Sequence, residues 1–150
     1  ISVSRIPHPD VRFNVGDDIK VIIKSFDNEG RATLTHKELL GTWEENAEKF
    51  HIGETVSGIV RSVESYGIFV ELTPNLAGLA EYTPGVFDGQ QTSVYIKSII
   101  PEKMKVKLII VDSFDADYPK KKPQYFIKEG HLDYFRYSPY LSEKNIETFF

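Results

Sequence analysis

Cysteine is absent from this chain, which removes disulfides and thiolate metal sites and fits a reducing compartment. Long apolar runs are missing too. Stretches such as "KLIIVD" (107–112) are far too short to cross a bilayer, and no secretory signal pattern opens the chain, so no membrane partner is expected. Nor is there an excess of positive charge: 18 Lys and Arg stand against 22 Asp and Glu, a formal net charge of −4. A protein that grips duplex nucleic acid mainly by neutralising phosphates needs the opposite balance. Single-strand binding escapes this exclusion, because stacking on aromatic rings supplies much of its affinity. The first residue is Ile1 rather than methionine, which reads as the start of a piece cut from something longer. What remains, 41% hydrophobic and 27% charged residues, is the composition of an ordinary soluble protein of one or two domains.

Catalytic signatures are equally scarce. There is no phosphate-cradling G-x-x-x-x-G-K-[ST], no H-E-x-x-H and no nucleophile elbow. His8, His36, His51 and His131 are scattered without metal-ligand spacing and are read as structural or solvated. Asp112, Asp115 and Asp117 lie close together, but "DSFDAD" lacks the glycine and terminal glutamate of a calcium loop and is read as a solvated loop. No enzymatic activity, cofactor or metal is expected.

What the chain does contain is a repeat. "VGDDIKVIIKS" (15–25) aligns with "DGQQTSVYIKS" (88–98), and after a one-residue insertion "RATLT" (31–35) aligns with "KVKLI" (105–109). Each copy reads as strand, turn, strand, with period-2 alternation and a turn at "DNEG" or "PEK". Only the second copy is preceded by further strands, predicted at Thr55–Glu64 and Ile68–Leu72, so the first appears as a half unit. Between them, Thr42 and Glu45 have capping-box spacing with Trp43 at the first helical position. This predicts a short linker helix over 42–50, docked by Trp43 and Phe50, with Glu44, Glu45 and Glu48 on a solvated face. Beyond the charged break "DADYPKKKP", the stretch "QYFIKEGHLDYFRYS" predicts a β-hairpin turning at Glu129–Gly130, and "NIETFF" one more short strand. So many rings in so few residues rarely stay exposed. The tail is therefore expected to pack elsewhere on the chain, in the gap left by the half unit.

Residues 53–112 carry Gly58-Ile59-Val60, then Tyr66-Gly67-Ile68-Phe69-Val70, then Gly78-Leu79-Ala80-Glu81-Tyr82-Thr83, and finally a hairpin bearing basic residues. The order and spacing of these motifs resemble the S1 domain, the RNA-binding OB-fold barrel of ribosomal protein S1 and many RNA-processing enzymes. Residues 1–36 resemble the second half of a preceding S1 repeat, and the tail resembles the C-terminal extension of a bacterial S1-like protein group. The resemblance implies an all-β chain. It would comprise a C-terminal half repeat (1–36), a linker with a short helix (37–50), a complete five-stranded OB barrel (51–112) and a C-terminal extension with a β-hairpin (113–150).

The same resemblance implies a function: non-enzymatic binding of single-stranded RNA, mRNA or rRNA, in translation or RNA handling, in the cytoplasm and with the ribosome as a further partner. Val56, Val60, Ile68, Val70 and Leu72 would fill the barrel. A bulge or close strand approach at Gly67 would change the side-chain phase, so that Tyr66 and Phe69 share the outer face and stack successive bases. Arg61, Lys97, Lys105 and Lys107 would hold phosphates, with Lys103 alternating along the same strand, and Arg31 would serve the half repeat. Other readings stay open: Phe69 covered by the linker helix or tail, and the lysines merely discouraging edge pairing. Two departures count against a full RNA face. Glu81 stands where the family has histidine, and Ile100 where many members have an acidic residue. Asp27 and Arg31 keep the turn in the first copy, but Ser2 occupies its histidine position. Weak binding with little sequence preference is expected, strengthened when several repeats act together. A protein-docking module is the alternative, and the substrate-recruiting part of an RNA-processing enzyme is a third.

Overall fold

A computed structural model describes residues 1–115 and 121–150. Five strands, β3 (Thr55–Glu64), β4 (Gly67–Thr73), β5 (Leu76–Ala80), β6 (Gln91–Ile100) and β7 (Lys105–Phe114), close into a barrel in the order β3-β4-β5-β7-β6. β5 and β7 run parallel and every other pair is antiparallel. This is the OB-type barrel expected from the motifs. β3 has the bounds read from the sequence, because its alternation and the turns beside it are local signals.

Alternation also fills the interior. Ile68, Ala80, Leu108 and Ile96 are successive cross-strand partners around the wall, and all four are buried, as are Val60, Val70, Val94 and Val106. Fully burying each of the larger ones is worth about 1.5–3 kcal/mol. Of the expected interior set, Val56 and Leu72 are half-buried and pack at its margin. Gly78 allows a close approach of two strands: a Cβ there would lie 2.5 Å from the Leu108 side chain.

The earlier copy forms a separate antiparallel hairpin, β1 (Ile22–Phe26) with β2 (Ala32–Thr35). The linker comprises a 3₁₀ turn at Lys37–Leu40 and a helix, α1 (Trp43–Ala47). The capping box is complete: Glu45 N–H donates to Thr42 Oγ1 at 3.1 Å, and Thr42 N–H donates to Glu45 Oε1 at 3.0 Å. Trp43 is buried in the barrel's core cluster and Phe50 packs against it. Glu44 and Glu48 face solvent as expected, whereas Glu45 is half-buried by its capping role.

Two features of the tail differ from expectation. Its hairpin does not turn at Glu129–Gly130. It pairs β8 (Tyr134–Arg136) with β9 (Glu147–Phe149), so "NIETFF" supplies the second strand. The reason is that the preceding segment is already committed: Phe126 N–H donates to Leu39 O at 2.8 Å, and Ile127 packs on the core. Nor does the tail cover the face of the β1–β2 hairpin, where Ile23, Phe26 and Leu34 stay exposed; it touches residues 1–36 where Lys20 N–H donates to the Tyr125 hydroxyl at 3.0 Å and Lys20 Nζ donates to Lys128 O at 2.9 Å. Most of it docks on the linker and barrel, burying Phe135 and Tyr137 beside Trp43. Tyr137 O–H donates to the Asn75 carbonyl, and Trp43 N–H donates to Tyr137 O at 3.0 Å. Buried Asn75 joins the rest, donating to Lys37 O and Gly41 O and accepting from Val3 N–H. Asp112, expected in a solvated loop, lies within β7, and Asp115 follows that strand; Asp117 falls outside the described residues.

Candidate nucleic-acid interface

The stretch that carries the aromatic pair folds as a tight turn followed by a strand. Glu64 pairs with Gly67 across β3 and β4, which leaves Ser65 and Tyr66 in the turn and Tyr66 69% exposed. Gly67 is needed for close approach: a Cβ there would lie 2.8 Å from both the Ala80 carbonyl oxygen and the Leu79 side chain. It is not a bulge. The register shift lies across the hairpin at Arg61, between Val60 and Ser62. Tyr66 and Phe69 come together because Tyr66 has left the strand. Their ring centroids are 6.1 Å apart at an interplanar angle of 81°. The rings form a corner, an exposed face against an edge, rather than two parallel shelves.

Phe69 alternates with buried Ile68 and Val70 and so faces outward, half-buried. Neither reading of Phe69 as wholly covered nor as fully open describes it. It partners Leu79 on β5, and Leu79 partners Lys107 on β7. Phe69, Leu79 and Lys107 thus form one outward row across three strands. Lys105 stands two residues before Lys107, about 7 Å along the strand. Lys97 occupies the β6 bulge between Ile96 and Ser98, next to Ser98, the register partner of Lys107. All three lysines are exposed, and among the described residues none is in an ion pair. Lys103 sits in the 3₁₀ turn Pro101–Lys103 before β7 rather than on the strand.

Because β5 and β7 are parallel, Glu81, two residues past Leu79, lies on the side of the row away from Lys105. About four residues of strand rise, roughly 13 Å, separate the two levels. The carboxylate is exposed at the end of β5, beside the ring pair but displaced from the lysines.

The two arginines are held differently. Arg61 is half-buried with its side chain only 9% exposed, and its guanidinium donates to Glu71 at 3.1 and 3.4 Å. Glu71 also receives a two-pronged pair from Arg12, one prong at 2.8 Å. Arg31 belongs to the β1–β2 turn, pairing with Asp27 and Glu29 at 2.8 Å each. Those hydrogen bonds, led by the Arg31 backbone N–H, hold the Asp27 carboxyl below its ordinary range. The structure therefore brings Tyr66, Phe69, Lys97, Lys105 and Lys107 onto the barrel, keeps Arg61 in an ion pair, and places Arg31 on a separate hairpin.

Sequence reasoning missed Arg12 and Glu71. A charged residue inside the apolar strand "GIFVELT" was the available signal for Glu71. Nothing local marked Arg12 as its partner, 59 residues away. Among the described residues, no helix is long and apolar enough to cross a membrane.

No family model matches the chain. Curated relatives do. The small ribosomal subunit protein bS1 of Staphylococcus aureus (strain COL) is 34% identical over 128 residues, covering 73% of this chain and 33% of that protein. The bS1 of Rhizobium meliloti (strain 1021) is 30% identical over 118 residues, 69% of this chain and 21% of that one. A 4-hydroxy-3-methylbut-2-enyl diphosphate reductase of Fusobacterium nucleatum is 30% identical over 119 residues, which make up 14% of the reductase. The chain thus spans about a third of the length of the first of these. Among solved structures, GSP13 from Bacillus subtilis is 25% identical, covers 49% of this chain and 68% of that one, and superposes with a TM-score of 0.38.

Proposed function

This chain is an S1-type OB-fold protein homologous to the ribosomal bS1 proteins, and we propose that it binds single-stranded RNA without catalysis, in translation or RNA handling, in the cytoplasm and with the ribosome as a partner. The observation that carries this reading is the outward row from Phe69 through Leu79 to Lys107, with Tyr66 at one end and the free ammonium groups of Lys97, Lys105 and Lys107 at the other. A base stacks on the exposed ring of Tyr66 or on Phe69, and the phosphates that flank it reach the lysines. Because the rings meet at a right angle, Tyr66 has to rotate on its turn before both faces can take successive bases. Arg61 contributes field from its ion pair rather than a free guanidinium, and Arg31 acts on the half unit alone.

Titration of a fluorescent oligouridylate at two salt concentrations tests the reading. Tyr66→Ala with Phe69→Ala should weaken binding by about 1–3 kcal/mol per lost stack and leave the fold unchanged by circular dichroism. Unchanged affinity in the double variant refutes stacking. The docking alternative is favoured by Glu81 and by exposed Tyr140, Leu141 and Phe149 on the tail. Negligible RNA binding at low salt would select it.

A further inference from the structure

We infer that the cleft beside Arg12 and Arg61 is a second anion site, built for a nucleotide held by its phosphate. The cleft lies between the amino-terminal segment, the outer wall of β3 and β4, and residues 121–126, and encloses about 640 Å³. That is within the range of small-molecule sites, roughly 300–1,000 Å³.

Its charge sets it apart from the rest of the molecule. The chain as a whole carries −4, yet among the described residues the cleft wall holds five cationic side chains, Arg12, Lys49, Arg61, Lys121 and Lys122, against one carboxylate, Glu71. Two guanidiniums share that carboxylate, with side-chain exposures of 11% for Arg12, 9% for Arg61 and 4% for Glu71. One positive charge is therefore uncompensated where water screens it poorly, an unfavourable arrangement that an incoming anion relieves. Arg12 Nε is also the buried side-chain polar atom without a hydrogen-bond partner among the described residues.

The remaining wall suits a base rather than a bare ion. Phe13, Leu72 and Phe126 line it, and Lys49 Nζ stands 4.8 Å above the Phe126 ring centroid. His36, packed edge-on to Phe13 and Tyr125, has its pKa lowered chiefly by burial, and its ring nitrogens are taken by Ile1 O and the Tyr125 hydroxyl, so near neutral pH it adds an uncharged ring to the wall. The nucleotide is either free or one unit of an RNA strand. Phe69 and Glu71 are both on the outer side of β4 and two residues apart, about 7 Å, so a strand on the aromatic corner can reach the cleft. The phosphate site itself does not depend on stacking at Tyr66 and Phe69.

Calorimetric titration of the full chain with inorganic phosphate, adenosine monophosphate and oligouridylate tests this, with the arginine Nε–H resonances followed by NMR. Adenosine monophosphate should bind, shift the Arg12 and Arg61 signals, and lose at least tenfold in affinity in Lys49→Glu/Lys122→Glu, two exposed positions. Tyr66→Ala/Phe69→Ala should leave that affinity unchanged, which separates this site from the stacking face. If oligouridylate alone shifts the arginine signals, and does so in the charge-reversed variant less strongly, the occupant is a strand unit and the site stands. No shift with any of the three probes overturns the proposal, as does nucleotide affinity indifferent to charge reversal. Equal affinity for phosphate and adenosine monophosphate overturns the assignment of a nucleotide.

Discussion

Replacing Glu71 with glutamine should cost this protein much of its stability. The glutamine keeps the shape of the side chain but removes the charge that two buried guanidiniums share, and places an amide N–H₂ where one of them needs an acceptor. Glu71 accepts two hydrogen bonds from Arg12 and two from Arg61, and all three side chains are about nine-tenths buried or more. Removing one partner from such a buried arrangement typically costs about 3–5 kcal/mol, most of it the penalty of leaving charge unpaired. Because two cations are orphaned here, the upper half of that range is expected. Against a total stability of about 5–15 kcal/mol for a typical domain, the loss is severe. Urea unfolding followed by far-ultraviolet circular dichroism reads it as a lowered midpoint at unchanged slope. A compensated variant, Arg12→Met with Arg61→Leu and Glu71→Leu, should recover most of the loss, since a well-packed apolar cluster of similar volume tolerates burial at least as well. A loss under about 1 kcal/mol, the range of exposed pairs, would refute the reasoning and mean that water reaches the carboxylate.

Gly67→Ala should destabilise by about 1–3 kcal/mol, because its Cβ would press on the Ala80 carbonyl at 2.8 Å and force β4 from β5; a thermal melt unchanged from the parent would show that the strands part freely. Acidification tests His36. Burial holds its pKa below the ordinary 6.5, so the unfolded chain takes up the proton first, and stability that is complete above about pH 6.5 should fall as the pH drops toward the depressed folded value. Melting temperatures between pH 7.5 and 5 should show this slope, reduced in His36→Asn; equal slopes in the two proteins would assign the pH dependence to other groups.

The strand bounds of β3, the capping box of α1 and the strand-turn-strand of β1 and β2 were all legible in the sequence because each rests on residues a few positions apart. Alternation, a Thr-to-Glu spacing and a turn before a glycine are short-range statements. The aromatic pair was legible for the same reason, although its cause was misplaced: the turn at Ser65–Tyr66 brings the rings together, while the bulge falls at Arg61. The tail shows the limit. Its glycine at 130 carries a positive φ of 105°, a local turn signal, yet the strand pairing is set later in the chain, because the residues before it bond to Leu39 and pack Ile127 against the core.

By itself the sequence determined the separate strands and an outward ring pair, since alternation and glycine placement act strand by strand, and the order of its motifs carried the resemblance that implied an S1-type barrel. The tertiary structure alone decided which charges are free. Lys97, Lys105 and Lys107 look like Arg61 in a list of basic residues. Only the closure of the barrel sets Glu71 beside Arg61, and only the amino-terminal segment lying over that wall adds Arg12. An ion pair in a buried place depends on which side chains exclude water there, and no short stretch of chain contains that information.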